Sequence, residues 1–142
     1  FYGKLEKGMI RISDNLIVLS RNEVVARYKE LKEQGFTDFI SVAKEWNDEF
    51  TTKYFPLTDD ENNSEQDIRF AINYVRNIIK ANKKVVVYCG AGQSRSPSIA
   101  TLSFYLVSPD KDIDELFNSL SRQSFIATHG NFFNRLLNLY GL

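Results

Sequence analysis

The stretch Val85-Val86-Val87-Tyr88-Cys89-Gly90-Ala91-Gly92 constrains this chain more than any other. A run of apolar residues with no polar alternation cannot sit on a half-solvated sheet. It reads as a strand buried on both faces in the middle of a sheet. Lys83-Lys84 and the glycines bound it. Such a strand needs covering elements, and the remaining sequence supplies them. Ile68, Ala71, Ile72, Val75, Ile78 and Ile79 repeat at helical spacing over Glu65 to Ala81, with Ser64 as N-cap. Ile99, Leu102, Leu106 and Val107 mark a second helix that Ser108-Pro109 ends. Asp112 caps a third through Ile113, Leu116, Phe117 and Leu120. Phe132, Phe133, Leu136, Leu137 and Tyr140 lie on a last one.

Further strands precede these helices. Met9 to Ile12 and Leu16 to Leu19 flank Ser13-Asp14-Asn15, which predicts a β-hairpin with turn-forming residues at its tip. Val24 to Gln34 is helical in pattern and Gly35 stops it. Phe39 to Val42 and Tyr54 to Leu57 are short strand candidates, with Pro56 marking an end or an edge. A hairpin, then strands alternating with helices, then helices alone predict an α/β fold. Its central sheet is mixed, mostly parallel and flanked by helices. The length of 142 residues fits one domain, 1–142, by the usual size of about 100–200 residues.

Composition removes several function classes. Lys plus Arg and Asp plus Glu both number 18, so no overall field favours nucleic acid or an anionic membrane. No nucleic-acid partner is expected. The longest apolar runs fall well short of a membrane span. Cys89 is the single cysteine, which excludes an internal disulfide, a cysteine-rich zinc site and an iron–sulfur cluster. A reducing compartment suits it, so the expected location is cytoplasmic, with the nucleus open. The opening Phe1-Tyr2-Gly3-Lys4 shows no signal-peptide pattern.

The chemistry concentrates in VVVYCGAGQSRSPSIA, Val85 to Ala100. A buried strand ends at Cys89, a loop with two glycines follows, and a helix starts near Ser96. Pro97 suits the first helical turn, where its missing N–H costs nothing. Strand, loop and helix N-terminus aim consecutive backbone N–H groups at one spot, and the helix dipole adds partial positive charge. The small residues Gly90, Ala91, Gly92 and Ser94 let the backbone curl into an anion nest. Cys89 sits at its base, where such groups favour thiolate over thiol. Arg95 carries a planar fork that matches two phosphate oxygens. Nucleophile and anion clamp share one loop, which points to thiolate attack on a bound phosphoryl group.

This segment resembles the signature of the cysteine-dependent protein phosphatases: Cys, five residues, Arg, then Ser or Thr. Ala91-Gly92-Gln93-Ser94-Arg95-Ser96 is most similar to the dual-specificity branch. The resemblance implies substrate-binding roles for Gly90, Ala91, Gly92, Gln93, Ser94 and Arg95. It implies that Ser96 hydrogen-bonds the sulfur and helps it leave. It also implies a general acid from an Asp after an apolar-Pro-apolar pattern, about 30 residues upstream. Phe55-Pro56-Leu57-Thr58-Asp59-Asp60 supplies that pattern; Asp59 holds the matching position, and Asp60 is the alternative if the loop is offset by one. Looser matches extend the resemblance over Ile12 to Leu19, Leu31 to Val42 and Arg122 to Leu137.

The family usually has His directly before the cysteine, and this chain has Tyr88. Its hydroxyl can hydrogen-bond a loop group but carries no positive charge. His129, the only histidine, reads as a loop or helix-cap residue. Trp46 either borders the pocket or sits half-buried on a surface loop.

The resulting expectation is a metal-independent hydrolase of phosphotyrosine, and of phosphoserine and phosphothreonine, in proteins through a phosphocysteine intermediate. No cofactor is called for, and the loop should hold phosphate or another oxyanion. The alternatives are a phosphoprotein-binding pseudophosphatase and an RNA 5'-triphosphatase of the same superfamily. Phosphoinositide phosphatases tend to place lysine inside the loop, and positions 90 to 94 have none.

Overall fold

A computed structural model describes residues 9–60, 62–91, 94–110, 112–121 and 131–142. The chain runs β1 (Met9–Ser13), β2 (Leu16–Ser20), α1 (Arg21–Glu33), β3 (Asp38–Ser41), β4 (Lys53–Tyr54), α2 (Glu65–Lys80), β5 (Val85–Cys89), α3 (Arg95–Val107), α4 (Ile113–Ser121) and α5 (Asn131–Leu139). The strands form one sheet of order β1-β2-β5-β3-β4. Only β1 and β2 pair antiparallel; β2–β5, β5–β3 and β3–β4 are parallel. The expected mixed, mostly parallel sheet is present, with β5 at its centre. All five residues of β5 are buried, as an unalternating apolar run requires.

Alternation along β5 sorts the two layers. Val86 and Tyr88 pack with Val24 and Leu31 of α1, and with Ile17, Leu19, Phe36 and Phe39. Val85, Val87 and Cys89 face the other way, toward Ile68, Ile72 and Val75 of α2, Ile99 and Leu102 of α3, and Phe132, Phe133 and Leu136 of α5. The nucleophile candidate therefore shares a layer with α3, and Tyr88 does not.

Two elements differ from the sequence reading. Helix α1 begins at Arg21, because Ser20 caps it and accepts from the Glu23 amide at 3.3 Å. The candidate strand Tyr54 to Leu57 pairs only over Lys53–Tyr54. The backbone then leaves the ladder toward Pro56, which has no N–H to donate. The other elements fall where expected. Ser64 accepts from the Asp67 amide at 3.1 Å, and Asp112 Oδ1 caps α4 through the amides of Asp114 and Glu115. Gly35 ends α1 at φ +95°, a left-handed conformation that favours glycine. His129 and the segment Arg122 to Gly130 lie outside the described residues.

Candidate active site

Parallel strands deliver their following loops to one edge of the sheet. Ser20, Ser41 and Cys89 end β2, β3 and β5, so the loops after β3 and β5 and the start of α1 meet there. This is the crevice beyond the strand ends where open α/β sheets bind ligands. The Arg21 amide donates to the Gly90 carbonyl at 3.1 Å and fixes the start of the cysteine loop.

Cys89 is 2% exposed, and its Sγ lies 3.1 Å from Ser96 Oγ. The hydroxyl of Ser96, fully buried, has the sulfur as its neighbour as the resemblance implies. Ser94 holds the N-cap position of α3 without capping it; its hydroxyl donates to Asp59 Oδ1 at 2.7 Å. The loop that carries the cysteine and the loop that carries the candidate acid thus touch through one hydrogen bond. Gly90, Ala91 and Ser94 are described; Gly92 and Gln93 lie outside the described residues.

Arg95 opens α3 with only 9% of its surface exposed, and a buried guanidinium needs partners. Nη1 and Nη2 donate to Glu45 Oε1 and Oε2 at 2.7 and 2.6 Å, and Nη1 donates again to the Leu57 carbonyl at 2.9 Å. Those bonds hold the Glu45 carboxyl below its ordinary range and raise the Arg95 guanidinium further above its own. Sequence reading did not find Glu45, which is 50 residues from Arg95. Its signal was topological: a carboxylate in the loop that follows a strand neighbouring the central one.

Gly90 is the point on which this wall converges. A Cβ placed there would lie 3.5 Å from Glu45 Oε2, 3.6 Å from Trp46 Nε1 and 3.8 Å from Arg95 Nη2. Trp46 therefore borders the site. The Arg21 guanidinium stacks over its indole at 4.2 Å from the ring centroid, a cation–π contact.

The two aspartates of the candidate acid loop differ in their bonding. Asp60 Oδ1 accepts from Thr58 Oγ1 at 2.6 Å and from the Asn62 amide at 2.9 Å, and these bonds hold its carboxyl below the usual range. Asp59 reaches toward Ser94 instead. Asn63, missed by sequence reading, shapes the loop. Its Oδ1 accepts from the Thr58 amide at 2.8 Å, and its Nδ2 donates to the Thr58 carbonyl at 2.7 Å.

Tyr88 serves the other face of the sheet. Successive strand residues point to opposite sides, so its hydroxyl cannot share the Cys89 environment. It donates to Asp48 Oδ2 at 2.9 Å and bonds Thr51 Oγ1. Asp48 also pairs with Arg21 at 2.8 Å. Burial pushes the Asp48 carboxyl up, but the hydrogen bonds from Arg21 and Tyr88 outweigh it and leave it below its ordinary range. Among the described residues no group of three or more His, Cys, Asp or Glu is placed to hold a metal ion, and no helix is long and apolar enough to cross a membrane.

The sequence model of the family described as "Dual specificity phosphatase, catalytic domain" matches residues 17–141. No curated protein matches the chain. Solved structures do. Human DUSP28 has a TM-score of 0.76 at 16% identity, over 95% of this chain and 94% of that one. The human tyrosine phosphatase-like serine/threonine/tyrosine-interacting protein has a TM-score of 0.71 at 18% identity, over 96% and 97%. OH1 from the Orf virus, a tyrosine phosphatase, has a TM-score of 0.70 at 16% identity, over 97% and 89%. At these identities the likeness is one of fold.

Proposed function

The chain belongs to the dual-specificity phosphatase family, whose catalytic-domain model covers residues 17–141, and from that premise we propose that it is an active, metal-independent phosphatase. Its substrates on this reading are phosphotyrosine, and phosphoserine and phosphothreonine, in proteins. The carrying observation is the pairing of Cys89 Sγ with Ser96 Oγ at 3.1 Å, beside an Arg95 oriented by Glu45 and Leu57.

The steps follow from those groups. The Cys89 thiolate attacks phosphorus, the P–O bond to the side chain breaks, and a phosphocysteine forms. Arg95, with loop amides at the α3 N-terminus, stabilises the charge on the equatorial oxygens. Asp59 gives its proton to the departing oxygen and then takes one from the incoming water. Water attacks phosphorus, and Ser96 donates to the sulfur as it leaves as thiolate. A nucleophilic thiol requires a reducing compartment, in keeping with a cytoplasmic or nuclear site of action.

The pseudophosphatase reading has one point in its favour: a phosphatase-like interacting protein shares the fold. The residues favour turnover, since nucleophile, clamp and acid candidates are all retained. Para-nitrophenyl phosphate with EDTA present decides between them. We expect hydrolysis by the native chain. Cys89→Ser should lose several orders of magnitude in kcat while still binding inorganic phosphate. No turnover by the native chain alongside phosphopeptide binding would establish the binding module, and a Cys89→Ser variant with a tenth of native kcat would exclude the thiolate.

A further inference from the structure

A groove of about 390 Å³ lies on the α1 side of the sheet, lined by Val25 and Tyr28 of α1 and by Glu49 and Phe50 of the loop between β3 and β4. Val25 is 50% exposed, on the side of α1 where a helix ordinarily carries polar residues. Tyr28 and Phe50 stand against each other with ring centroids 5.5 Å apart and planes tilted by 36°, and both are partly buried. Phe50 is held in turn by Tyr88 at 5.7 Å and by Phe39 at 6.3 Å. The core layer therefore fixes the aromatic walls from beneath.

Of the four lining residues Glu49 alone is charged. It is exposed and has no ion-pair partner among the described residues. Two cations of α1 are committed elsewhere: Arg21 pairs with Asp48 at 2.8 Å and Arg27 with Glu23 at 2.9 Å. An apolar floor, two aromatic faces and one carboxylate suit a side chain with an apolar stem and a cationic end. Arginine and lysine have that form. An acidic side chain would be repelled by Glu49, and a purely apolar one would make no use of it.

Position ties the groove to the site. Trp46 borders the cysteine loop at Gly90, and Glu49 follows it by three residues, so their Cα atoms are at most about 11 Å apart. An extended peptide advances roughly 3.3 Å per residue. Three or four residues on either side of a phosphorylated side chain bound at the loop therefore span that distance. We infer that the groove is an exosite for the substrate: it takes an arginine or lysine side chain a few residues from the phosphorylated one, and so selects phosphoproteins with a basic flank. This rests on the phosphatase reading above.

The test uses phosphotyrosine peptides in which a single arginine replaces alanine at successive positions, out to four residues on either side. At one position or at neighbouring ones, arginine should raise the native chain's kcat/KM about fivefold, through KM more than kcat. That is the scale of one exposed cation–π contact together with one exposed ion pair. Glu49→Gln should remove most of the advantage, and Val25→Lys should turn it into a disadvantage. Both substitutions fall on exposed positions outside the catalytic machinery. Turnover of para-nitrophenyl phosphate and inhibition by inorganic phosphate should therefore match the native chain, which also shows that each variant has folded. Equal kcat/KM for arginine and alanine peptides at every position would overturn the inference, as would an arginine advantage that survives either substitution. A native chain that hydrolyses neither the peptides nor para-nitrophenyl phosphate would instead sink the phosphatase reading, and the exosite with it.

Discussion

Asp59 and Asp60 adjoin in sequence, yet their hydrogen bonds give them different chemistry. Asp60 accepts from Thr58 and the Asn62 amide, and a carboxylate so stabilised is a poor proton donor. Among the described residues, Asp59 accepts from the hydroxyl of Ser94 on the cysteine loop. If Asp59 is the general acid, kcat/KM needs it protonated while Cys89 is ionised, and the pH profile is bell-shaped. Asp59→Asn should then flatten the alkaline limb and slow substrates with poor leaving groups by about 10²–10⁴-fold. The loss should shrink for aryl esters whose leaving group needs no proton. Asp60→Asn should leave the limb in place. If Asp60→Asn abolished the limb and Asp59→Asn spared it, the acid would be the next residue along.

The loop between β4 and α2 that carries the candidate acid is tied by its own polar groups. Asn63 is 7% exposed and bridges both backbone groups of Thr58, with a weaker bond to the Asp60 carbonyl at 3.3 Å. Arg135 of α5 donates to the Asn63 carbonyl. Removing the amide leaves the Thr58 N–H unpaired and the loop free to sample other shapes. Asn63→Ala should therefore lower kcat on poor leaving groups, mimicking part of the Asp59→Asn defect, while phosphate inhibition stays near native. Stopped assays with phosphopeptide and phosphate competition read both quantities. Loss of phosphate affinity without loss of kcat would show that Asn63 supports the clamp and not the acid loop.

Across the whole molecule, the Tyr88–Asp48–Arg21 network joins the central strand, the loop between β3 and β4 and the start of α1. Burial raises the Tyr88 phenol to about 12 from an ordinary 10.0. A group whose folded pKa is raised contributes stability that is complete below its unfolded value. That stability is lost as pH climbs through the folded value. The Tyr88 contribution is thus complete below pH 10.0 and disappears toward about 12. Asp48 has the opposite sign: its lowered pKa contributes above 3.8 and is lost on acidification below that value. Melting temperature should be flat between these limits with respect to the pair. Tyr88→Phe leaves Asp48 without one donor, so the melting temperature at pH 7 should drop by several degrees, and the alkaline decline should flatten. An alkaline profile identical to the native one would show that Tyr88 does not report on folding.

The amino-acid sequence alone carried the central strand, the helices that cover it and the residues of the loop after Cys89. Val85 to Val87 is short, β-branched and without polar alternation, so it reads as a central strand, and the glycines after Cys89 read as a turn into the next helix. Those are local facts, set by side-chain period and backbone freedom within a few residues. The candidate nucleophile, the candidate clamp and their loop were legible because the chain keeps them contiguous. Asp59 was legible through the resemblance to a family motif, not through any local rule. The partners of these residues were set by the folded chain. Glu45 meets Arg95 because β3 lies next to β5, an adjacency that a separation of 50 residues does not announce. Tyr88 bonds Asp48 because alternation turns it away from the cysteine it precedes. Strand order across a sheet depends on which apolar faces pack best together, a property of the whole chain. The contacts between loops at the sheet's edge inherit that dependence.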